Sequence, residues 1–556
     1  MPSRMRSESI TSETPPLRAV SVEKPGIVFA FVALACLAYY RNVNWDEFYF
    51  LSHVHAWVDG RLDRPLQTVF VHAFRWLTWL PGNEWEQIFA GRLVMALCLA
   101  ATTCAVFCIA RHLTSPAAAG LASLAFLSSG YVLAHGGSFR ADPIAAALLT
   151  SSLAMMLITQ MRWWQGLIAA TLLACAFLVT IKSVLYLPAF LGVLIWRWSD
   201  RAVLARILIA GVLSLGLAAA LFLLHAAQIT PAAGIDARTN AADAATTALL
   251  NTDLFPRSDV IFSWAMLSVP QLFLVGIGLA SARRSRLIAV LILFAVPILS
   301  VVIYRNAFPY FFPFAAPLLM VAAAVGANKL SIAKRTGLML AMILGAMVQL
   351  FLIAPENARA QRATIAEVHR LFEAPVPYID AHGMIGSFPS ASFFMSTWEL
   401  ERYNAAGKPV LAEAILREQP PLLLAQRRVL NDAMLSMAVH RPEASLLPAD
   451  AAALRATYVH YSGNVWLAGT EIQFGSREEM LSVPFAGTYR IETNAEVRLN
   501  GALYRSGDVT KLDQTQINAE GTIGTTLRLV WDTGVAPVAR NALERDYYAG
   551  FLRLVF

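Results

Sequence analysis

Apolar runs punctuate the first 355 residues at 26–40, 88–110, 114–134, 142–160, 166–181, 183–197, 204–228, 259–282, 287–304, 308–328 and 336–354. Crossing the ~30 Å hydrocarbon core of a bilayer takes about 20 such residues in a helix. The pattern therefore predicts a polytopic α-helical membrane domain over 26–355 with about 11 transmembrane helices. The stretch 166–197 is the least regular, because Lys182 interrupts it and each half is short. Between the first two runs, 44–87 reads as a long outer loop. Within it, Leu66, Val69, Phe70, Ala73, Phe74, Leu77 and Leu80 follow helical spacing, and Trp76, Trp79 and Trp85 lie close by. That spacing predicts an amphipathic helix over Pro65 to Leu80 lying in the membrane interface. His72 and Arg75 in its middle argue against a span, since buried charge is costly there. The pattern changes after 355. Residues 361–450 mix helical and strand periodicity, broken by Pro420-Pro421 and Pro448. Beyond them, short alternating runs such as Tyr458–Tyr461, Thr488–Ile491 and Leu527–Val530 are separated by glycine-rich turns, and Asn500-Gly501 signals a hairpin. A C-terminal α+β domain over 356–556, ending in a β-sandwich, is expected.

Composition agrees with the membrane reading. Hydrophobic residues make up 57% of the 556 and charged residues 15%, against roughly a quarter charged in soluble domains. The polar stretch 1–25 predicts a disordered tail. If it starts in the cytoplasm, alternating connections place fifteen basic residues against four acidic ones on the cytoplasmic side. The outer side over 41–305 holds ten basic and eleven acidic residues, and this asymmetry follows the positive-inside rule. The formal charge of +7 is thus mostly topology, and residues 356–556 are net negative, so a nucleic-acid partner is excluded. The expected setting is a bacterial inner membrane with the C-terminal domain periplasmic. All five cysteines fall in apolar segments without metal-ligand spacing, which predicts small packing residues. No glycine-rich phosphate loop or HExxH motif occurs.

With this topology, charges at the ends of apolar runs gather on one face: Asp46-Glu47, Arg140-Ala141-Asp142, Lys182, and Arg305 with Tyr304 and Tyr310. Taken singly, each is an ordinary interfacial residue. Together they suit transfer from a lipid-linked phosphate sugar. Cations can bind the anionic leaving group, and a carboxylate can take the proton of an attacking hydroxyl.

The order of these features resembles the GT-C superfamily of polyprenyl-phosphate-sugar glycosyltransferases, particularly the branch of protein O-mannosyltransferases and the lipid A aminoarabinose transferase. The resembling stretches are Asp46-Glu47 with Tyr49, Arg64-Pro65, Gly91-Arg92-Leu93, Ala110-Arg111-His112-Leu113, Phe139-Arg140-Ala141-Asp142-Pro143, Thr180-Ile181-Lys182-Ser183, and Tyr304-Arg305-Asn306 with Tyr310, Pro313 and Pro317. They cover roughly residues 27–330. The resemblance implies that Asp46 is the general base, with Glu47 orienting it or the acceptor, and that Asp142 lies near the donor sugar. It implies that Arg140, Lys182, Arg305 and Tyr310 bind the donor phosphate, with inverting displacement onto a glycan, lipid or protein acceptor. Relatives often carry a His-Pro-Pro-like run where this chain has Arg64-Pro65, and a glycine where Ser183 follows Lys182. Some members bind a divalent cation. The few outer-face carboxylates here lead to the expectation of no cofactor and no metal site.

Two other classes share many spans and intramembrane charge. A transporter or flippase would show matching halves with broken helices and polar groups at midplane, whereas these charges sit at span ends. A polysaccharide-assembly protein with a carbohydrate-binding C-terminal domain fits the β-rich ending.

Overall fold

The computed structural model describes residues 23–65, 68–229, 254–352, 356–437, 444–535 and 546–548. The expected tail 1–25 lies almost entirely outside them, as does most of the 229–258 loop. Among the described residues each predicted apolar run is mostly helical, with breaks within 114–134 and 308–328. Five helices, Glu84–Leu113, Ala141–Ile158, Arg201–Ala226, Ser285–Val302 and Ile332–Leu352, are long and apolar enough to cross a membrane. Three further pairs are bent by 71°, 85° and 63° at short breaks, which brings the crossings to eight if each pair is one span. Pro116–Ser128, Trp163–Val179 and Ile181–Trp196 are shorter apolar helices. By length and composition, the described residues thus hold five to eight helices able to cross a membrane, with three shorter apolar helices besides, because hydropathy marks apolar runs without showing where a helix bends or stops short. Pro116–Ser128 is buried on all sides from Ala118 to Ser128, so its apolarity serves packing inside the bundle. Val269–Ser281 and Leu319–Ala327 cross closely at Gly278 and Gly326, where a Cβ on either would run into the partner's backbone carbonyl. Small residues at such crossings let helix backbones touch.

The 44–87 segment differs from the expected loop. A 14-residue helix, Trp45–Val58, opens it, and the expected Pro65–Leu80 helix is reduced to Thr68–Phe74 followed by a 3-10 turn at Arg75–Trp79. Residues 66 and 67 lie outside the described ones. Of the predicted apolar stripe, Phe70, Phe74 and Leu77 are buried, Val69 and Leu80 half-buried and Ala73 exposed.

The C-terminal domain joins the bundle through the helix Glu356–Leu371. Gln361 bonds both the amide and the carbonyl of Val43 at 2.8 Å, and the Arg362 guanidinium lies 4.5 Å from the Trp85 ring. A seven-stranded sheet runs in the order Tyr378–Ile379, Leu422–Leu424, Val465–Gln473, Thr526–Trp531, Gly487–Thr493 and Val509–Leu512, with Tyr458–Ser462 also paired to Val465–Gln473. The first pair is parallel and helices flank it. A four-stranded sheet, Glu478–Ser482, Gln516–Glu520, Val497–Leu499 and Ala502–Tyr504, contributes Leu481, Leu499 and Ile517 to a core shared with Tyr489, Ile491 and Leu529 of the first sheet. The domain is therefore α/β around the parallel pair and two packed sheets beyond. Asn500 and Gly501 form the two-residue turn, both at positive φ, between antiparallel Val497–Leu499 and Ala502–Tyr504, as two-residue hairpin turns demand.

Candidate active site

Asn44 is extended ahead of the Trp45–Val58 helix. Its Oδ1 accepts the Asp46 amide at 2.8 Å, while Glu47 Oε2 accepts the Asn44 amide at 2.9 Å. This reciprocal cap satisfies first-turn donors that the helix itself cannot. It also sends the two adjacent acids in different directions.

Glu47 points inward and is fully buried. Arg92 grips it in a fork, Nε to Oε1 at 2.8 Å and Nη2 to Oε2 at 2.7 Å. The Phe139 amide donates at 2.7 Å, and Arg41 adds an ion pair at 3.6 Å. Arg92 also donates to the carbonyls of Ala38, Arg41 and Asn42, each at 2.9 Å. Beside it, Gly91 leaves room for the Phe139 ring, which a Cβ would strike. Gly91-Arg92 thereby ties the 41–47 and 135–141 segments to one point on the Glu84–Leu113 helix.

Asp46 points outward, its side chain 16% exposed, and forms an ion pair with Arg140. Arg140 stands just ahead of the Ala141–Ile158 helix and reaches Asn44 Oδ1 at 3.2 Å and Asp142 Oδ2 at 3.4 Å. Its guanidinium carbon lies 3.4 Å from the centre of the Tyr310 ring. Asp142, almost fully buried in the first turn of that helix, pairs in turn with Lys182, carried on the 3-10 turn Ile181–Tyr186. The result is an alternating row, Asp46, Arg140, Asp142, Lys182, drawn from three separate segments. Fixed alternation of this kind compensates charge that would be costly singly in a low dielectric.

A cavity of about 660 Å³ opens between the bundle and the C-terminal domain. Asp46, Arg140, Lys182 and Tyr310 line it from the bundle, together with the exposed Arg64. Glu47, Asp142 and Arg305 are not among its lining residues. Arg305 Nη2 instead bonds both carboxylate oxygens of Glu401 at 2.6 Å, and its guanidinium carbon lies 5.2 Å from the Trp398 ring. The structure thus brings four of the seven sequence candidates to the cavity, puts Asp142 directly behind them, and directs Glu47 and Arg305 elsewhere.

The opposite wall was not foreseen. It comes from the C-terminal domain: Ser390, Ser392, Phe394, Trp398, His382 and Arg427 are among its residues. Trp398 is among the residues that face the cavity. The Tyr49 and Phe394 rings meet across the two domains at 4.2 Å. Asp380 also lines this wall but is occupied structurally, accepting the amides of Gly383 at 2.9 Å and Met384 at 2.7 Å and the Gln426 side chain at 2.8 Å. Burial pushes its carboxyl above the usual range, against those bonds.

The Arg140 guanidinium pairs with both Asp46 and Asp142. Among the described residues no group of three or more His, Cys, Asp or Glu side chains converges.

No protein-family model and no curated protein matches the chain by sequence. Among solved structures, it is similar to the crystal structure of ArnT from Cupriavidus metallidurans bound to undecaprenyl phosphate, at 16% identity and a TM-score of 0.46, over 62% of this chain and 69% of that one. It is also similar to the Archaeoglobus fulgidus oligosaccharyltransferase in the apo form, at 9% identity and a TM-score of 0.48, over 94% of this chain and 99% of that one. The archaeal oligosaccharyltransferase AglB from Archaeoglobus fulgidus, in complex with an inhibitory peptide and a dolichol-phosphate, aligns at 10% identity and a TM-score of 0.44, over 94% of this chain and 99% of that one.

Proposed function

We propose that the chain is a membrane glycosyltransferase that moves a sugar from a polyprenyl-phosphate carrier to an acceptor hydroxyl, with Asp46 as general base. The observation that carries the reading is the pairing of a partly exposed carboxylate, Asp46, with Arg140 and Lys182 in one cavity where the bundle meets the C-terminal domain. A lipid-linked phosphate reaches such a boundary from the bilayer side, and a polar acceptor reaches it from the aqueous side.

In this reading the donor phosphate lies against Lys182, Arg140 and the Tyr310 edge of the cavity. Asp46 takes the acceptor proton as the acceptor oxygen attacks the anomeric carbon. The bond from that carbon to the phosphate oxygen breaks on the far side, so the configuration inverts. The electron pair leaves with the lipid phosphate, whose developing charge the cations stabilise. Asp142 holds Lys182 and Arg140 in place, and Glu47 holds the segment that presents Asp46. On the distribution of basic residues, the cavity and the C-terminal domain face the periplasm of a bacterial inner membrane.

The test is transfer of radiolabel from a panel of polyprenyl-phosphate sugars to membrane extracts, wild type beside Asp46→Asn. Loss of a general base typically costs about 10²–10⁴-fold in rate, so the variant should insert normally and show at least ~100-fold less transfer. Equal activity in the variant removes Asp46 from the chemistry. No transfer from any donor with wild type overturns the glycosyltransferase reading.

A further inference from the structure

Arg427 belongs to the C-terminal domain and faces the cavity from the wall opposite the Asp46 row. Its Nη1 carries its described bonds, to the Met395 carbonyl and to His382 Nε2, the latter at 3.0 Å. The guanidinium carbon lies 5.4 Å from the Trp45 ring. These contacts hold the group in place, and none of them is with a carboxylate. Among the described residues Arg427 has no ion-pair partner, and Nε and Nη2 have no acceptor. The carboxylates around it bond to other groups: Asp380 to three donors, Asp546 to the Tyr548 amide at 2.9 Å, and Asp46 across the cavity to Arg140, although Asp546 and Asp46 still act on Arg427 through space. This differs from the cations on the bundle, since Arg140 and Lys182 both have carboxylate partners.

A rigid guanidinium with the Nε and Nη2 edge free is a fork for the two oxygens of a carboxylate or phosphate. We infer that Arg427 is a second anion site of the cavity, and that the acceptor carries an oxyanionic group which docks there while its hydroxyl reaches Asp46. This rests on the glycosyltransferase reading for the word acceptor, but the anion site itself is open to test without turnover.

The protein is purified whole in nanodiscs. Binding of inorganic phosphate, of acetate and of a short-chain polyprenyl phosphate is then measured by calorimetry for wild type, Arg427→Gln and Arg427→Lys. A lost charge-assisted fork should weaken binding roughly tenfold or more. The expected result is that Arg427→Gln loses at least that much affinity for inorganic phosphate or acetate, keeps the polyprenyl phosphate affinity of wild type, and is partly restored by Arg427→Lys. Whichever small anion responds more strongly identifies the group as phosphate or carboxylate. Retained polyprenyl phosphate binding also shows that the variant is folded. Wild-type affinity for both small anions in Arg427→Gln overturns the inference. So does a loss confined to the polyprenyl phosphate, which would assign Arg427 to the donor. Should Arg427→Gln misfold, Arg427→Lys decides, by weakened or unchanged small-anion affinity. If the radiolabel assay finds no transfer while the anion site is present, the glycosyltransferase reading fails and the site stands.

Discussion

Asp46 and Glu47 are neighbours with opposite environments, and their substitutions should separate chemistry from folding. Glu47 compensates Arg92 and Arg41 in the interior. Removing its charge leaves cations buried without a partner, a change that costs about 3–5 kcal/mol in comparable buried pairs. Glu47→Gln should therefore lower the melting temperature in detergent and the yield of folded protein, with transfer per folded molecule reduced far less than in Asp46→Asn. A Glu47→Gln protein that melts like wild type yet transfers nothing would return Glu47 to the chemistry. Sequence alone made both acids candidates, because adjacency says nothing of direction. The cap decides it, and the cap was readable: Asn44 and Glu47, like Asn83 and Glu86, have the spacing of a capping box. A search for apolar runs passes over the Trp45–Val58 helix because Asp46, Glu47, His53 and His55 dilute its hydropathy.

At the scale of elements, the Glu356–Leu371 helix and the cavity wall share one buried anchor. Glu84 opens the Glu84–Leu113 helix, is 1% exposed, and accepts His369 Nε2 at 2.7 Å and the Ser387 hydroxyl at 2.6 Å and amide at 3.1 Å. Gly386, next to Ser387, lines the cavity. The bond to Glu84 raises His369 above its ordinary value of 6.5. A histidine whose folded value is raised contributes stability that is fully present below its unfolded value, near 6.5, and is lost as pH rises through the folded value. Hydrogen exchange of the Glu356–Leu371 helix should accordingly quicken, beyond the intrinsic pH dependence, as pH rises above 6.5 in wild type. In His369→Gln that extra component should be absent. An identical profile in both proteins would exclude the pair as the source. None of this was legible beforehand, since the contacts join residues about 300 positions apart. The strands Tyr458–Ser462, Gly487–Thr493 and Thr526–Trp531 and the Asn500-Gly501 turn were legible, because alternation and turn chemistry are local.

The molecule as a whole places its cavity between two domains, and Arg305 tests which of them it serves. By motif order it ranks with the phosphate-binding cations; in the folded chain it pairs with Glu401 on the Thr397–Ala406 helix and lies against Trp398 of the cavity wall. The two roles make different predictions. A latch between domains depends on both partners equally, so Arg305→Ala and Glu401→Ala should each perturb transfer modestly, and the double variant should do no worse than either. The pair is partly exposed, at 23% and 39%, and such pairs contribute about 1 kcal/mol or less, so each effect should stay within roughly fivefold. A phosphate ligand would behave otherwise. Arg305→Ala alone would then weaken donor binding, while Glu401→Ala, by freeing the guanidinium, would strengthen it. A double-mutant cycle on the KM for the lipid-linked donor separates the cases: coupling with equal single effects assigns Arg305 to the domain interface, and opposite single effects return it to the phosphate. Motif order could group Arg305 with the other cations, but its partner lies 96 residues away in a domain that the motifs do not cover.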